Sequence, residues 1–79
     1  MAHHLDDRLF CEPGECVQAR DLSGLSVEDL ADLSGAPTGE IAAFEAGYTV
    51  GPRWRLLIRL ALERQGVTFV DGRPPRIRR

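Results

Sequence analysis

Glycine and proline residues divide the middle of this 79-residue chain into four short segments, and this division restricts the chain to a small fold. Proline is tolerated in the first turn of a helix, where Pro13 would lie, and glycine is common just after the last turn, as at Gly24. A chain of this length forms a single domain. The segments between the breaks predict helices over residues 13–23, 27–34, 38–46 and 53–65.

The apolar residues of these segments recur at helical spacing, which supports the helical prediction. The last segment shows the clearest pattern, with apolar residues at positions i, i+3, i+4, i+7 and i+8, namely Trp54, Leu57, Ile58, Ala61 and Leu62. Leu56 and Leu60 widen this apolar stripe and indicate burial on two sides. Ser26 and Asp29 have the spacing of a capping box at the start of the second helix.

The two ends of the chain differ from the helical part between them. Residues 1–12 are interpreted as an arm and residues 13–66 as the helical domain. In residues 67–79, β-branched and aromatic residues precede an Asp71-Gly72 turn, which indicates a short strand or hairpin. The predicted fold class is therefore mainly all-α, with four or five helices and a short C-terminal β-strand or hairpin.

Charge is distributed unevenly along the chain, although the formal net charge is only −2. Eight of the ten arginines follow Gly51, whereas ten of the twelve acidic residues precede it. An Arg-rich C-terminal half suits contacts with phosphate groups. The arginines at the end of the chain have three interpretations: an arm along a DNA backbone, a solubilising end, or a partner for the acidic half of a second copy. They are Arg73, Arg76, Arg78 and Arg79.

Two short helices joined by a tight turn with Gly35 and Pro37 are typical of a helix-turn-helix, here over residues 27–46. Four motifs follow the chain: CxxARxLxGLSxExLAxxSG from Cys16, IxxFExG from Ile41, LxxLALE from Leu57 and GVxFxxG from Gly66. In these motifs the sequence resembles the Cro/XRE family of phage-repressor-like domains, and in particular a small bacterial subgroup with a C-terminal strand. The resemblance extends without a gap over about residues 13–72.

The resemblance implies a DNA-binding transcriptional regulator whose third helix enters the major groove of double-stranded DNA. The residues that it implies for base contacts are Thr38, Gly39, Glu40 and Ala43. Those that it implies for phosphate contacts are Arg53, Arg55 and Thr49. For Arg53 and Arg55 the alternative is that they belong to the solvated face of the last helix. A dimer would bind a palindromic operator, with its two recognition helices about one DNA turn, roughly 34 Å, apart.

The resemblance also implies an ion pair between Arg20 on the first helix and Glu45 on the third. Such a pair orients the helices and reads no bases. We expect a homodimer, and we interpret part of the apolar surplus near the last helix as its interface, formed by Trp54, Ile58 and Phe69. Arg59 and Glu63 lie four residues apart and are expected to form a surface pair.

A second hypothesis is that the fold serves as a protein–protein adaptor. Val27 stands where the family usually has a glutamine that holds a phosphate, and the third helix contains Glu40 but no basic residue. An acidic helix suits a basic protein surface. The partner would be another regulatory protein or RNA polymerase. A further alternative is that the protein binds DNA only together with a partner protein.

The sequence gives little support for catalysis or metal binding. Histidine occurs only at His3 and His4, and no phosphate-binding loop or nucleophile motif is present, so we expect neither enzyme activity nor a cofactor. Zinc binding by these histidines with Cys11 and Cys16 is an alternative, but the spacing lies at the edge of zinc patterns. Without a long apolar run or a signal peptide, a cytoplasmic protein with reduced cysteines is expected.

Overall fold

The computed structural model describes residues 10–70 and 72–78, which form four helices followed by two short antiparallel strands. This confirms the predicted mainly helical fold with a C-terminal hairpin. Two predicted helices have the observed bounds, the third ends one residue earlier than predicted, and the fourth begins and ends one residue earlier than predicted. The elements are α1 Pro13–Ser23, α2 Val27–Ser34, α3 Thr38–Glu45, α4 Pro52–Arg64, β1 Val67–Thr68 and β2 Arg76–Ile77.

Local hydrogen bonds explain where the first two helices begin. At the start of α2, the Asp29 amide donates to Ser26 Oγ at 3.0 Å, and the Ser26 amide donates to Asp29 Oδ2 at 3.0 Å. This is the capping box expected from the sequence, and it satisfies two backbone donors that a helix terminus would otherwise leave unpaired. At the start of α1, the Glu12 amide donates to Glu15 Oε1 at 2.8 Å.

The hydrophobic core includes side chains from all four helices, and its largest fully buried members include Leu30, Ile41, Ile58 and Leu62. Ile58 was expected at a dimer interface, and the structure corrects that expectation. Its side chain is 0% exposed because α4 packs against both α1 and α2, so it presents no surface to a second copy. Trp54 and Phe69, the other residues expected there, are half-buried and pack against the core.

The folded domain begins earlier than residue 13, which corrects the predicted extent of the arm. Phe10 and Cys11 are both buried, at 7% and 1% exposure. Cys11 precedes the α1 N-cap, and Cys16 is the fourth residue of the helix. Apolar residues at these two positions commonly pack together and fix the direction in which the chain enters a helix. Residues 1–9, including His3 and His4, lie outside the described residues.

Cys11 and Cys16 are free thiols inside the domain. Cys16 Sγ donates a hydrogen bond to Glu45 Oε2 at 3.4 Å. The pKa of Cys16 is raised above its ordinary value, first by its hydrogen bond with Cys11 and then by burial. Since the thiolate is the reactive form of cysteine, both the burial and the raised pKa reduce the reactivity of Cys16.

We therefore expect neither thiol to react with a disulfide reagent such as DTNB while the protein is folded at neutral pH. In guanidinium chloride both thiols become accessible, and the absorbance of the released thiolate should correspond to two cysteines per chain. The expectation is contradicted if Cys11 or Cys16 reacts in the folded protein at the rate seen after unfolding. Single Cys11→Ala and Cys16→Ala variants assign each reaction to its residue.

The two strands pair in antiparallel register, with Val67 opposite Ile77 and Thr68 opposite Arg76. The Arg78 amide donates to the Gly66 carbonyl oxygen at 2.7 Å. Gly66 has a φ of +95°, and a Cβ atom there would lie 3.3 Å from the Arg78 carbonyl oxygen, so this position requires glycine. Asp71, part of the predicted turn, lies outside the described residues. Among those residues, no helix combines the length and apolar character needed to cross a membrane.

Candidate nucleic-acid interface

The turn between α2 and α3 holds the two helices of the predicted motif together. Gly35 ends α2 with φ 82° and ψ 0°, a left-handed conformation that favours glycine. The Ala36 amide then donates to Ser34 Oγ at 3.1 Å, and both residues are buried. Pro37 has extended backbone angles and acts as the N-cap of α3. Short-range hydrogen bonds and core contacts thus fix the position at which α3 begins.

Helix α3 has a buried face and an exposed face. Ile41 and Phe44 are buried in the core. The exposed face consists of small, uncharged residues, which are Thr38, Gly39, Ala42 and Ala46, the last being the C-cap. Of the residues expected to contact bases, Thr38 and Gly39 therefore lie on the exposed face, whereas Glu40 and Ala43 are half-buried at its edge.

The exposed face of α3 is chemically simple. A Cβ atom built at Gly39 would have no heavy atom within 4 Å, so nothing in the described chain covers this position. Methyl groups of threonine and alanine can contact the thymine methyl in the major groove, and small side chains let a helix approach closely. Ala42 and Ala46 were not among the residues expected to contact bases, although the four-residue steps from Thr38 place them on the same face.

Arg53 and Thr49 lie just after α3 and are both exposed. Arg53 is the second residue of α4, and its guanidinium carbon lies 5.5 Å from the centroid of the Trp54 ring. A cation over an aromatic ring is attracted electrostatically while its N–H groups stay available to an acceptor. Arg53 is therefore an ordered cation at the start of α4, close in sequence to the exposed face of α3.

Arg55 was expected to contact phosphate as well, but its environment differs from that of Arg53. Its guanidinium carbon lies 4.3 Å from the centroid of the Phe10 ring. Its Nε atom is buried and has no hydrogen-bond partner among residues 10–70 and 72–78. A buried donor without an acceptor costs about 1–3 kcal/mol. The role of Phe10 could not be recognised from the sequence, because nothing in the pattern indicates that the two residues meet.

The predicted ion pair between Arg20 and Glu45 is present and joins α1 to the end of α3. Arg20 Nε donates to Glu45 Oε2 at 2.8 Å, and Nη2 donates to Oε1 at 3.1 Å. Nη1 donates to the Leu25 carbonyl oxygen at 3.0 Å. The pKa of Arg20 is raised, chiefly by its hydrogen bonds to Glu45. With side chains only 17% and 12% exposed, the pair fixes the orientation of α3 and does not contact solvent freely.

Exposed charges are segregated along the described chain. The outer side of α2 carries three exposed carboxylates, on Glu28, Asp29 and Asp32. The exposed arginines lie on the C-terminal part of the described chain, at Arg53, Arg64, Arg73, Arg76 and Arg78. The surface pair expected within α4 is present, with Arg59 Nε 3.2 Å from Glu63 Oε2. Among these arginines, Arg53 is the nearest in sequence to α3, whereas Arg64 lies at the other end of α4.

Comparison with protein-family models and with curated proteins gives no match to this chain. The features that bear on function are therefore those of the described chain itself. These are an exposed, uncharged helix face, a tight turn that presents it, and cations at the start of the following helix.

Proposed function

We propose that this protein is a DNA-binding transcriptional regulator of the helix-turn-helix type, related to the Cro/XRE family. Helix α3 enters the major groove of a palindromic operator, and the protein binds as a dimer in the cytoplasm. Thr38 and Gly39 contact base edges, with Glu40 and Ala43 at the edge of the contact. Arg53, Arg55 and Thr49 contact phosphates on the flanking backbone. This assignment needs no cofactor or metal.

The observation that carries this proposal is the exposed face of α3. A short helix of a small domain normally buries its apolar residues and exposes charged ones, but the fully exposed positions of α3 hold only threonine, glycine and alanine, with Glu40 half-buried at the edge. Small, uncharged side chains make few hydrogen bonds with water, so covering this face costs little. They also allow the helix to lie close to the base edges in a groove that is wide enough for a helix. The tight turn at Gly35 holds α3 at a fixed angle to α2, as the docking of a recognition helix requires.

Arginine at the start of α4 supplies the electrostatic part of the binding. Phosphate contacts account for most non-specific affinity for DNA and make that affinity sensitive to salt. Arg53 is exposed and ordered against Trp54, so it can contact a phosphate next to the groove that α3 occupies. The carboxylates of α2 oppose this attraction, and we expect modest affinity for a single domain. Dimerisation would compensate by adding a second set of contacts.

We expect Arg53→Gln to weaken binding to DNA roughly fivefold at low salt, which corresponds to about 1 kcal/mol. The reason is the loss of one phosphate contact, and the slope of log K against log salt should fall by about one unit. The probe is a duplex recovered by in-vitro selection from a random library with the full chain. Fluorescence anisotropy over a range of potassium chloride concentrations measures both quantities.

Arg64→Gln is the matched control, because Arg64 is an exposed arginine at the other end of the same helix. It should leave the affinity within twofold of the original protein, since exposed charges far from the duplex are screened by salt. If the two substitutions weaken binding equally, Arg53 does not contact a phosphate of the DNA. If selection enriches no sequence and no duplex binds even at low salt, the proposed function itself is wrong.

The outer side of α2 favours a second candidate function, that of a protein–protein adaptor. Glu28 and Asp32 lie one turn apart and are exposed, and the Leu33 side chain beside them is 43% exposed. Acidic and apolar groups side by side suit a partner with a basic surface, such as another regulator or RNA polymerase. In-cell crosslinking to a partner protein, compared between the original protein and the double variant E28Q/D32N, distinguishes the two candidates. An adaptor should lose its crosslink in this variant, whereas the affinity of a DNA-binding protein for DNA should not be weakened.

A further inference from the structure

Two open clefts share a wall, which is formed by the two prolines shortly before β2. The first cleft has a volume of about 380 Å³ and lies between these prolines and α1, where it is lined by Gln18, Asp21, Leu22, Pro74 and Pro75. The second has a volume of about 450 Å³ and is lined by Arg73, Pro74, Pro75 and Arg76. Both volumes exceed about 300 Å³, the lower end of the range for clefts that bind ligands. We call the two clefts together the proline groove.

The proline groove combines apolar surface with positive charge. Leu22 is 39% exposed, and Pro74 is exposed in the same cleft. The side chains of Arg73 and Arg76 are exposed, and neither forms an ion pair or a hydrogen bond within residues 10–70 and 72–78. The one carboxylate of the groove, on Asp21, lies 4.0 Å from Arg20 Nη1, which offsets its charge. Such a surface suits a partner that is both acidic and apolar.

The outer side of α2 has this complementary chemistry. Glu28 and Asp32 are exposed and lie one turn apart, and neither side chain has a partner in the described chain. Two like charges four residues apart on a helix repel each other, so the pair destabilises α2 unless cations approach it. Leu33 follows directly and is 43% exposed. The face therefore offers two unpaired carboxylates beside an exposed leucine.

A single copy of the chain does not bring these two surfaces together. Helix α2 packs against α3 and α4, whereas β2 packs against α1 and β1. Among the described residues, no ion pair joins a carboxylate of α2 to an arginine of the groove. Each folded copy thus presents two unpaired carboxylates on one surface and two unpaired guanidinium groups on another. A second copy supplies the partner that each surface lacks.

We infer that the proline groove binds the outer side of α2 from a second copy of this chain. Leu33 of one copy packs against Leu22 and Pro74 of the other, and the two carboxylates of α2 pair with the two arginines of the groove. The contact joins two different surfaces, so it differs from a two-fold dimer formed by α4 and goes beyond the proposed function. It also assigns Arg73 and Arg76 to one of the three interpretations of the C-terminal arginines.

The test is sedimentation of the full chain, without DNA, over a range of protein concentrations. We expect a dissociation constant on the order of 0.1–1 mM for this contact, because exposed ion pairs contribute little energy each. The association should weaken as potassium chloride is added, since salt screens exposed charges. The variants E28R/D32R and R73E/R76E each reverse one side of the contact, and each should weaken the association about tenfold or more.

The quadruple variant E28R/D32R/R73E/R76E reverses both sides of the contact at once. Its α2 is basic and its groove is acidic, so the two surfaces are complementary again. It should therefore restore the association to within about threefold of the original protein. Failure of this variant to associate, although circular dichroism shows it folded, would overturn the inference.

The matched control is E28R/D32R/R53E/R64E, which has the same formal net charge of −2 as the original chain. It reverses two exposed arginines of α4 and keeps those of the groove, so it should not restore the association. R53E/R64E alone measures any effect of these changes on association through α4, and it should associate like the original protein. If the control restores the association as well as the quadruple variant does, net charge explains the losses and the inference is wrong.

A second measurement needs no substitution and therefore does not depend on the folding of a variant. In a mixture of ¹³C-labelled and unlabelled copies, intermolecular nuclear Overhauser effects should connect the Leu33 methyl groups of one copy with Leu22 and Pro74 of the other. An associated protein without these contacts has its interface elsewhere, which overturns the inference. A protein that does not associate at low salt also overturns it, and leaves the outer side of α2 to the adaptor role. None of these outcomes depends on DNA binding, so the proposed function is tested separately.

Discussion

Arg20→Met is expected to destabilise the protein by about 2–4 kcal/mol, because it leaves the Glu45 carboxylate in a largely buried position without its cation. The Glu45 side chain is only 12% exposed, and both of its oxygens accept hydrogen bonds from Arg20. The Leu25 carbonyl oxygen also loses a donor. Since domains of this size have a total stability of only several kcal/mol, much of the protein should be unfolded at 37 °C.

Urea unfolding followed by circular dichroism measures this loss, and two further variants show its cause. Arg64→Met replaces an exposed arginine and should change the free energy of unfolding by less than about 0.5 kcal/mol. The double variant R20M/E45Q removes both charges, and it should recover part of the stability lost in Arg20→Met. If Arg20→Met and Arg64→Met are equally stable, the ion pair contributes nothing to the fold.

The ion pair also links the stability of the fold to its proposed function. Arg20 lies on α1, and Glu45 is the last residue of α3, so the pair fixes the end of the helix opposite to Thr38 and Gly39. Any tilt of α3 after loss of the pair would move the exposed residues at its start. For this reason, a folded fraction of Arg20→Met should bind DNA more weakly, although Arg20 contacts no base in the proposed complex.

Much of the fold follows from local chemistry that a sequence shows directly. The starts of α1 and α2 depend on residues within one turn of the helix, such as Ser26 with Asp29. The left-handed ends of helices favour glycine, as at Gly35. The ion pair between Arg20 and Glu45 was predicted on other grounds. The two residues are 25 positions apart, and only the resemblance to a known family related them.

The larger errors concern contacts between residues that are distant in sequence. Periodicity showed that α4 has a broad apolar face, but it could not show which of these residues the other helices cover. Ile58 was therefore assigned to a dimer although it is fully buried. The contact of Arg55 with Phe10 was not predicted, because the stacking of two residues 45 positions apart leaves no periodic signal. The same contact explains why the folded domain extends to Phe10.

Ile58→Ala is expected to lower the free energy of unfolding by about 2–5 kcal/mol, the range for removing a large aliphatic side chain from a packed core. The effect should arise within a single copy of the chain, because Ile58 is 0% exposed and has no surface available for a partner. Chemical unfolding at two widely separated protein concentrations tests this point. The loss of stability should be the same at both concentrations if the residue stabilises the monomer.

Leu60→Ala is the matched control, since Leu60 lies on the same helix but is 37% exposed. Its replacement should cost less than about 1 kcal/mol in the monomer, because its side chain is only partly removed from water. Analytical ultracentrifugation then separates the two roles of α4. If Leu60→Ala weakens self-association while Ile58→Ala weakens only folding, the exposed side of α4 forms the dimer. An Ile58→Ala variant that folds normally but is monomeric would restore Ile58 to the interface and contradict the packing described for α4.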